Sequence, residues 1–179
     1  MTIQAQLVED NRLVVWEKED VNALYRSGFY GRPITLSKPR EEIEGPLILD
    51  AIEGLYLLEK KIIDVKDSKD EYISYKDLRV RLSQVFTEFD GKYIVYKELR
   101  NRGLVVTPGI KYGCDFAVYE HGPGIDHAPY IIQIENLNKK LGATTIVRSG
   151  RLATTVRKSF IVAAVGEVIT YLEFNWWKA

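Results

Sequence analysis

Five short runs of β-branched and aromatic residues occupy the second half of this sequence: Leu104-Val-Val106, Phe116-Ala-Val-Tyr119, Tyr130-Ile-Ile-Gln-Ile134, Phe160-Ile-Val-Ala-Ala-Val165 and Ile169-Thr-Tyr-Leu-Glu-Phe174. Such residues suit the pleated, half-buried surface of a sheet, and the turn residues bounding each run limit where a strand can start and stop. Ahead of them, Tyr93, Tyr96 and Leu99 recur at helical spacing, and Gly103 follows Arg100 and Arg102 as a C-cap glycine follows the cations of a last turn. A second helix is expected over 150–158, leading into the fourth strand. Helices interspersed with strands in this way predict an α/β domain with a mixed central sheet of about five strands.

The first half reads as a smaller α+β region. Its opening third reads as short strands, with Leu13-Val-Val-Trp16 followed by Glu17-Lys-Glu-Asp20, and with Gly28, Gly31 and Pro33 punctuating turns. Leu47, Ala51, Leu55 and Leu58 repeat with helical spacing behind Pro46, which predicts a buried helix over 47–58 with proline at its start. Ile62-Ile-Asp-Val65 suits a strand. Ser74, with an acid three residues on at Asp77, opens a helix through Leu78, Leu82, Val85 and Phe86. The charged stretch 87–92, closed by Asp90-Gly91, separates the two patterns, so the expected domains are 1–90 (α+β) and 91–179 (α/β).

Composition bounds the function. Lys plus Arg and Asp plus Glu number 25 each, so the formal charge is zero and any site for a polyanion must be a local patch. A single cysteine, Cys114, forbids an internal disulfide, and with only His121 and His127 as imidazoles a Cys/His zinc site is not expected. A basic leader followed by an apolar run is missing at the N-terminus, and no stretch reaches the ~20 apolar residues of a membrane span. A cytoplasmic protein without a membrane partner is expected.

Two segments carry candidate chemistry. Tyr119-Glu-His-Gly-Pro-Gly-Ile-Asp-His127 puts a tyrosine at the end of one strand and a histidine just before the next, across a Gly-Pro-Gly loop of the kind that presents functional groups from a rigid sheet. It serves equally as a plain connection between strands, and His121 competes with His127 as the working imidazole. Arg151 and Lys158 are seven residues apart, two helical turns, which puts two cations on one face for phosphate binding or merely for contact with solvent. Asp115 and Glu135 lie at successive strands, as in metal-dependent nucleases of restriction type. That motif wants a lysine two residues beyond the second acid, and Leu137 stands there, so neither a metal nor another cofactor is expected.

Taken together, Tyr93-Ile-Val-Tyr-Lys-Glu-Leu-Arg-Asn-Arg-Gly103, Lys111-Tyr-Gly-Cys-Asp-Phe116, Tyr119-Glu-His-Gly122 and Val156-Arg-Lys158 resemble the catalytic domain of archaeal tRNA-splicing endonucleases, in order and with compatible spacing over 93–165. Residues 1–90 resemble that family's more variable N-terminal domain, best at Ala51-Ile-Glu-Gly-Leu-Tyr-Leu-Leu58. The resemblance implies a restriction-endonuclease-like nuclease domain and a metal-free cut of precursor tRNA at bulge–helix–bulge motifs, leaving a 2′,3′-cyclic phosphate and a 5′-OH. It puts the catalytic tyrosine at Tyr119, the histidine at His127 and the lysine at Lys158, with Arg151 stacking on an unstacked RNA base. Tyr119 would take the 2′-OH proton if nearby cations lower its pKa from about 10, or else act mainly by positioning. His127 would protonate the leaving 5′-oxygen, and Lys158 would stabilise charge on the phosphate.

The family it resembles assembles as two dimers, with an acidic loop between the last two strands of one subunit docked on the opposite dimer. Here that turn is only Gly166-Glu-Val168, without a run of aspartates. The expectation is therefore a heterotetramer with a non-catalytic subunit, or a homodimer when alone, with the last strand and Trp176-Trp177 serving either dimerisation or the core. A chain that was itself the non-catalytic scaffold would be expected to lack one of Tyr119, His127 and Lys158, and all three are present.

Overall fold

A computed structural model describes residues 2–34, 42–140 and 142–174, and it divides into two units, Met1–Tyr93 and Ile94–Ala179. Trp176 and Trp177 lie outside the described residues.

The first unit is built on a mixed sheet of β1 (Ile3–Leu7), β2 (Leu13–Val15), β3 (Arg32–Pro33), β4 (Leu47–Leu49), β5 (Ile63–Lys66) and β6 (Tyr72–Ile73), in the order β3-β4-β2-β1-β5-β6. Only the β1–β5 pair is parallel. Two of its elements correct the sequence reading. Residues 17–20 lead into a helix, α1 (Lys18–Gly28), whose first turn carries Glu19 and Asp20 where the helix dipole favours acids, and whose Val21, Leu24 and Tyr25 are buried. It ends where Phe29 turns left-handed at φ 56° and donates its N–H to the Tyr25 carbonyl.

The expected helix over 47–58 begins instead at Ala51 as α2 (Ala51–Glu59), because Asp50 caps it: its carboxylate accepts the N–H groups of Ile52 and Glu53, each at 2.9 Å. Leu47–Leu49, upstream of the cap, pairs with β2 and buries Leu47 and Leu49 completely. A short apolar run of this kind fits a buried strand as well as a buried helix. Gly54 lets α2 approach that sheet closely, since a Cβ there would sit 2.5 Å from Leu13 Cδ1. The third helix, α3 (Tyr75–Val85), starts where expected, with Ser74 Oγ accepting the Asp77 N–H, and stops one residue early with Phe86 as its cap.

The second unit takes its lead from α4 (Phe89–Asn101), which begins at Phe89 rather than Tyr93 and so absorbs Asp90-Gly91 instead of breaking there. Its sheet comprises β7 (Val105–Pro108), β8 (Phe116–Tyr119), β9 (Tyr130–Asn136), β10 (Ser159–Val165) and β11 (Ile169–Phe174), in the order β11-β10-β9-β8-β7. The β9–β10 pair is parallel and the others antiparallel. A parallel pair cannot be joined by a tight turn, and α5 (Ala143–Thr155) makes the crossover. Phe160, Ile131 and Val162 of the sheet pack with Ala153 of α5 and with Cys114 as one buried cluster. The α4 side of the sheet is closed by Tyr96, edge-on to Phe116 at 5.8 Å, and by the buried Arg100, whose Nε donates to the Tyr96 hydroxyl at 2.9 Å. A buried guanidinium is tolerated because its donors are used, one of them on the Val106 carbonyl.

The end of α5 corrects the expected helix over 150–158. The helix starts at Ala143, runs only to Thr155, and is followed by Arg157 in the left-handed region at φ 54°. Arg157 N–H returns to the Thr154 carbonyl at 3.1 Å and Lys158 N–H to the Ala153 carbonyl at 2.8 Å. This paired closure ordinarily recruits glycine, and a residue with a Cβ accepts about 1–2 kcal/mol of backbone strain there. Lys158 is therefore past the helix and does not share a helical face with Arg151. Among the described residues, no helix is long and apolar enough to cross a membrane.

Candidate active site

The sheet register brings three strand ends together. Tyr130, the first residue of β9, is paired on one side with Val118 and on the other with Ser159. Tyr119 is the next residue after Val118, and Lys158 is the residue before Ser159. Both thus stand at the same end of the sheet, on strands two apart and so about 10 Å from one another at the backbone. The loop into β9 runs between them and carries His127, which is exposed.

Two hydrogen-bonded neighbours hold His127 in that position. On one side, the Asp126 carboxylate accepts the backbone N–H groups of Glu120 at 3.1 Å, His121 at 3.0 Å and Gly122 at 2.8 Å, all directly after Tyr119. On the other, the carbonyl of the buried Ala128 accepts a hydrogen bond from the Lys158 ammonium. The residues flanking His127 are thereby tied to the chain directly after Tyr119 and to Lys158 itself. His121 is exposed as well, but it enters this network through its backbone N–H alone among the bonds just named.

Lys158 makes a second contact, with its Nζ 5.3 Å from the centre of the Tyr112 ring. Tyr112 ends a 3-10 turn, Ile110–Tyr112, that folds back tightly over the start of β8. Gly109 makes the fold-back possible: a Cβ there would lie 2.7 Å from the Cys114 carbonyl oxygen and 2.8 Å from the Phe116 backbone.

Tyr119 is half-buried. Burial raises its phenol pKa above the usual 10.0, Tyr112 and Asp126 raise it further by electrostatic repulsion, and a hydrogen bond with Thr107 pulls it partly back. Of the two roles open to Tyr119, this environment supports positioning. Asp126 shows the reverse outcome. Partial burial pushes its pKa up, but the N–H donors of His121, Gly122 and Glu120 outweigh that and hold it below the usual 3.8. A carboxyl whose pKa is depressed on folding contributes stability above its unfolded pKa, and that contribution disappears as pH falls through the folded value. Acidification below the usual carboxylate range is therefore expected to release this loop, with the amides of Glu120, His121 and Gly122 losing exchange protection together. The Asp126→Asn variant should show the same loss at neutral pH; unchanged protection in that variant would contradict the clamp.

Arg151 lies exposed on α5, in the turn before the helix end that delivers Lys158. The two carboxylates of the rival metal-site reading are committed elsewhere: Asp115 accepts the Ile134 N–H at 2.8 Å, and Glu135, buried, is paired with Lys139 at 2.6 Å. Sequence reasoning overlooked the parts played by Asp126, by the Ala128 carbonyl and by Tyr112. An aspartate closing a Gly-Pro-Gly loop is a recognised acceptor for nearby backbone N–H groups, so Asp126 alone was open to inference.

The model of the tRNA intron endonuclease catalytic C-terminal domain matches residues 89–171, and that of the tRNA intron endonuclease N-terminal domain matches residues 3–79. The chain thus has the two-domain layout of an endoribonuclease, with its catalytic domain second. It belongs to the tRNA intron endonuclease family. It is 42% identical over 171 residues to a tRNA-splicing endonuclease of Hyperthermus butylicus, covering 93% of this chain and 94% of that protein. It is similar to tRNA-splicing endonucleases of Saccharolobus solfataricus, at 36% identity over 177 residues, and of Saccharolobus islandicus, at 35%, each covering 96% of this chain and 97% of the relative.

Proposed function

We infer that this chain is the catalytic subunit of a tRNA-splicing endonuclease, cutting precursor tRNA at intron boundaries in bulge–helix–bulge motifs with Tyr119, His127 and Lys158. The observation that carries this reading is the double anchoring of the loop residue His127, through Asp126 to the chain after Tyr119 and through Ala128 to Lys158. Residues 1–90 serve as the N-terminal domain and residues 91–179 as the nuclease domain. The parallel β9–β10 pair bridged by α5 in a mixed sheet supports a restriction-endonuclease-like classification for the latter.

The ribose 2′-oxygen attacks the adjacent phosphorus, the bond from phosphorus to the 5′-oxygen breaks, and a 2′,3′-cyclic phosphate and a 5′-OH result. Tyr119, a neutral phenol at neutral pH, hydrogen-bonds the 2′-OH and keeps it in line, and the 2′-OH proton passes to solvent water as its oxygen bonds to phosphorus. Lys158 stabilises the charge that builds on the non-bridging oxygens, a contribution that positioned cations make before the barrier is crossed. His127 delivers the proton to the departing 5′-oxygen. Arg151 offers its guanidinium plane to a base splayed out of the bulge, a contact that tolerates any base. His127 supplies the leaving group's proton and Lys158 the charge stabilisation, so the reaction proceeds without a metal.

The β10–β11 turn is a tight three-residue connection, with Gly166 N–H bonded to the Val168 carbonyl at 3.1 Å and Glu167 its only acid. This supports assembly with a second, non-catalytic subunit that supplies the acidic loop missing here. Cleavage of a labelled bulge–helix–bulge RNA in excess EDTA tests the whole reading. Cutting at both intron boundaries with cyclic-phosphate ends is expected, by the chain alone or once a companion subunit is added. RNA that stays intact with the companion present, or that is cut only on restoring a divalent ion, would overturn it.

A further inference from the structure

We propose that Tyr112 is a positioning residue that holds the Lys158 ammonium in place for the scissile phosphate through the face of its ring. The proposal rests on the assignment of Lys158 to the reaction. Lysine is a point charge on a flexible four-carbon stem, so its value in stabilising a developing charge depends on what restricts it. In this chain the Lys158 ammonium lies 5.3 Å from the Tyr112 ring centre and donates to the Ala128 carbonyl, two restraints arriving from different elements of the sheet end. An ammonium within ~6 Å of a ring centre is attracted by the negative ring face.

The ring is itself fixed. Its backbone N–H donates to the Gly109 carbonyl at 2.8 Å, the turn sits against β8 because Gly109 lacks a Cβ, and the side chain packs on the buried cluster of Cys114, Ile131, Ala153, Phe160 and Val162. Lys111 also approaches the ring, at 5.8 Å, but it is the adjacent residue and points from the exposed turn. Tyr112 in addition lies within electrostatic range of the Tyr119 phenol. It thus stands between two of the three groups assigned to the reaction, and the ring, which phenylalanine shares, is the part that touches Lys158.

The test measures single-turnover cleavage of a labelled bulge–helix–bulge RNA by the full chain, with its companion subunit if cleavage requires one. Tyr112→Leu should lower kcat about 10-fold, with KM nearly unchanged, the size expected for losing one partly buried cation–ring contact. Tyr112→Phe should retain most of kcat. In a Lys158→Ala background Tyr112→Leu should cost nothing more, because a residue that acts through another is not additive with it. Progressive fluorination of phenylalanine at position 112 drains the ring face without changing the fold, and kcat should fall stepwise with fluorine number; this series stays informative if the leucine variant misfolds.

Equal losses in the phenylalanine and leucine variants, a flat fluorination series, or an undiminished leucine effect without Lys158 would each overturn the proposal. A Lys158→Ala protein that cuts like wild type would instead overturn the assignment of Lys158.

Discussion

His127→Ala slows bulge–helix–bulge cleavage by ~10²–10⁴-fold, the range that a positioned general acid supplies. The loss is expected in the cleavage step and not in binding. His127 is exposed at a strand end and its backbone is held by its neighbours, so its removal leaves the sheet, the Asp126 clamp and the Lys158–Ala128 bond in place. Rapid mixing of excess enzyme with labelled RNA separates the two, since the cleavage rate at saturation should collapse while the concentration giving half-saturation moves little. His121→Ala is the matched control. It removes the neighbouring exposed imidazole while preserving the backbone N–H that Asp126 uses. If His121→Ala falls to the level expected of His127→Ala and His127→Ala does not, the two imidazoles have been assigned the wrong way round.

The second large effect concerns the ground on which the site is built. Phe160 is 1% exposed, in the cluster formed with Cys114, Ile131, Ala153 and Val162, and packs at 5.7 Å, tilted by 35°, against Phe174 of the edge strand. Phe160→Ala is expected to cost about 3–5 kcal/mol, the transfer of the ring plus the cavity it leaves. Typical domains have only about 5–15 kcal/mol of stability in total. Urea unfolding followed by circular dichroism should show the midpoint drop, and amide exchange should place the loss in β9, β10 and α5. The same cluster contains Ala153, whose carbonyl receives the Lys158 N–H, and it supports Tyr112. Cleavage should therefore fall even at temperatures where the variant stays folded. A loss under about 1 kcal/mol would mean that the cavity is refilled by its neighbours, and Phe160 would not be the keystone of this core.

Strand content was readable because it depends on local composition. All five β-branched runs of the second half became strands with ends within two residues of those expected, and Ser74 capped α3 as its side-chain chemistry suggests. The misreadings share one cause. Leu47–Leu49 lies next to a helix, and its apolar spacing continues the helical repeat; pairing with β2, more than thirty positions upstream, and with β3 makes it a strand. Arg157 carries no signal for a left-handed turn, so the end of α5 at Thr155 was invisible, and Lys158 was placed on the wrong face. Asp90-Gly91, a pair that usually marks a turn, sits inside α4, where burial of Phe89 and Tyr93, the latter donating its hydroxyl to Glu59 at 2.8 Å, outweighs the local preference.

The sequence by itself determined the residue chemistry available for catalysis, namely a phenol, an imidazole and an ammonium borne by segments flanking strands, together with the five strands of the second half, because composition and short-range spacing govern both. Only the tertiary structure decided how those groups meet. Lys158 is bonded to a carbonyl 30 residues away, and its ring partner comes from a turn before β8. Partners this far apart along the chain are selected by sheet register and core packing, which no local pattern of residues encodes.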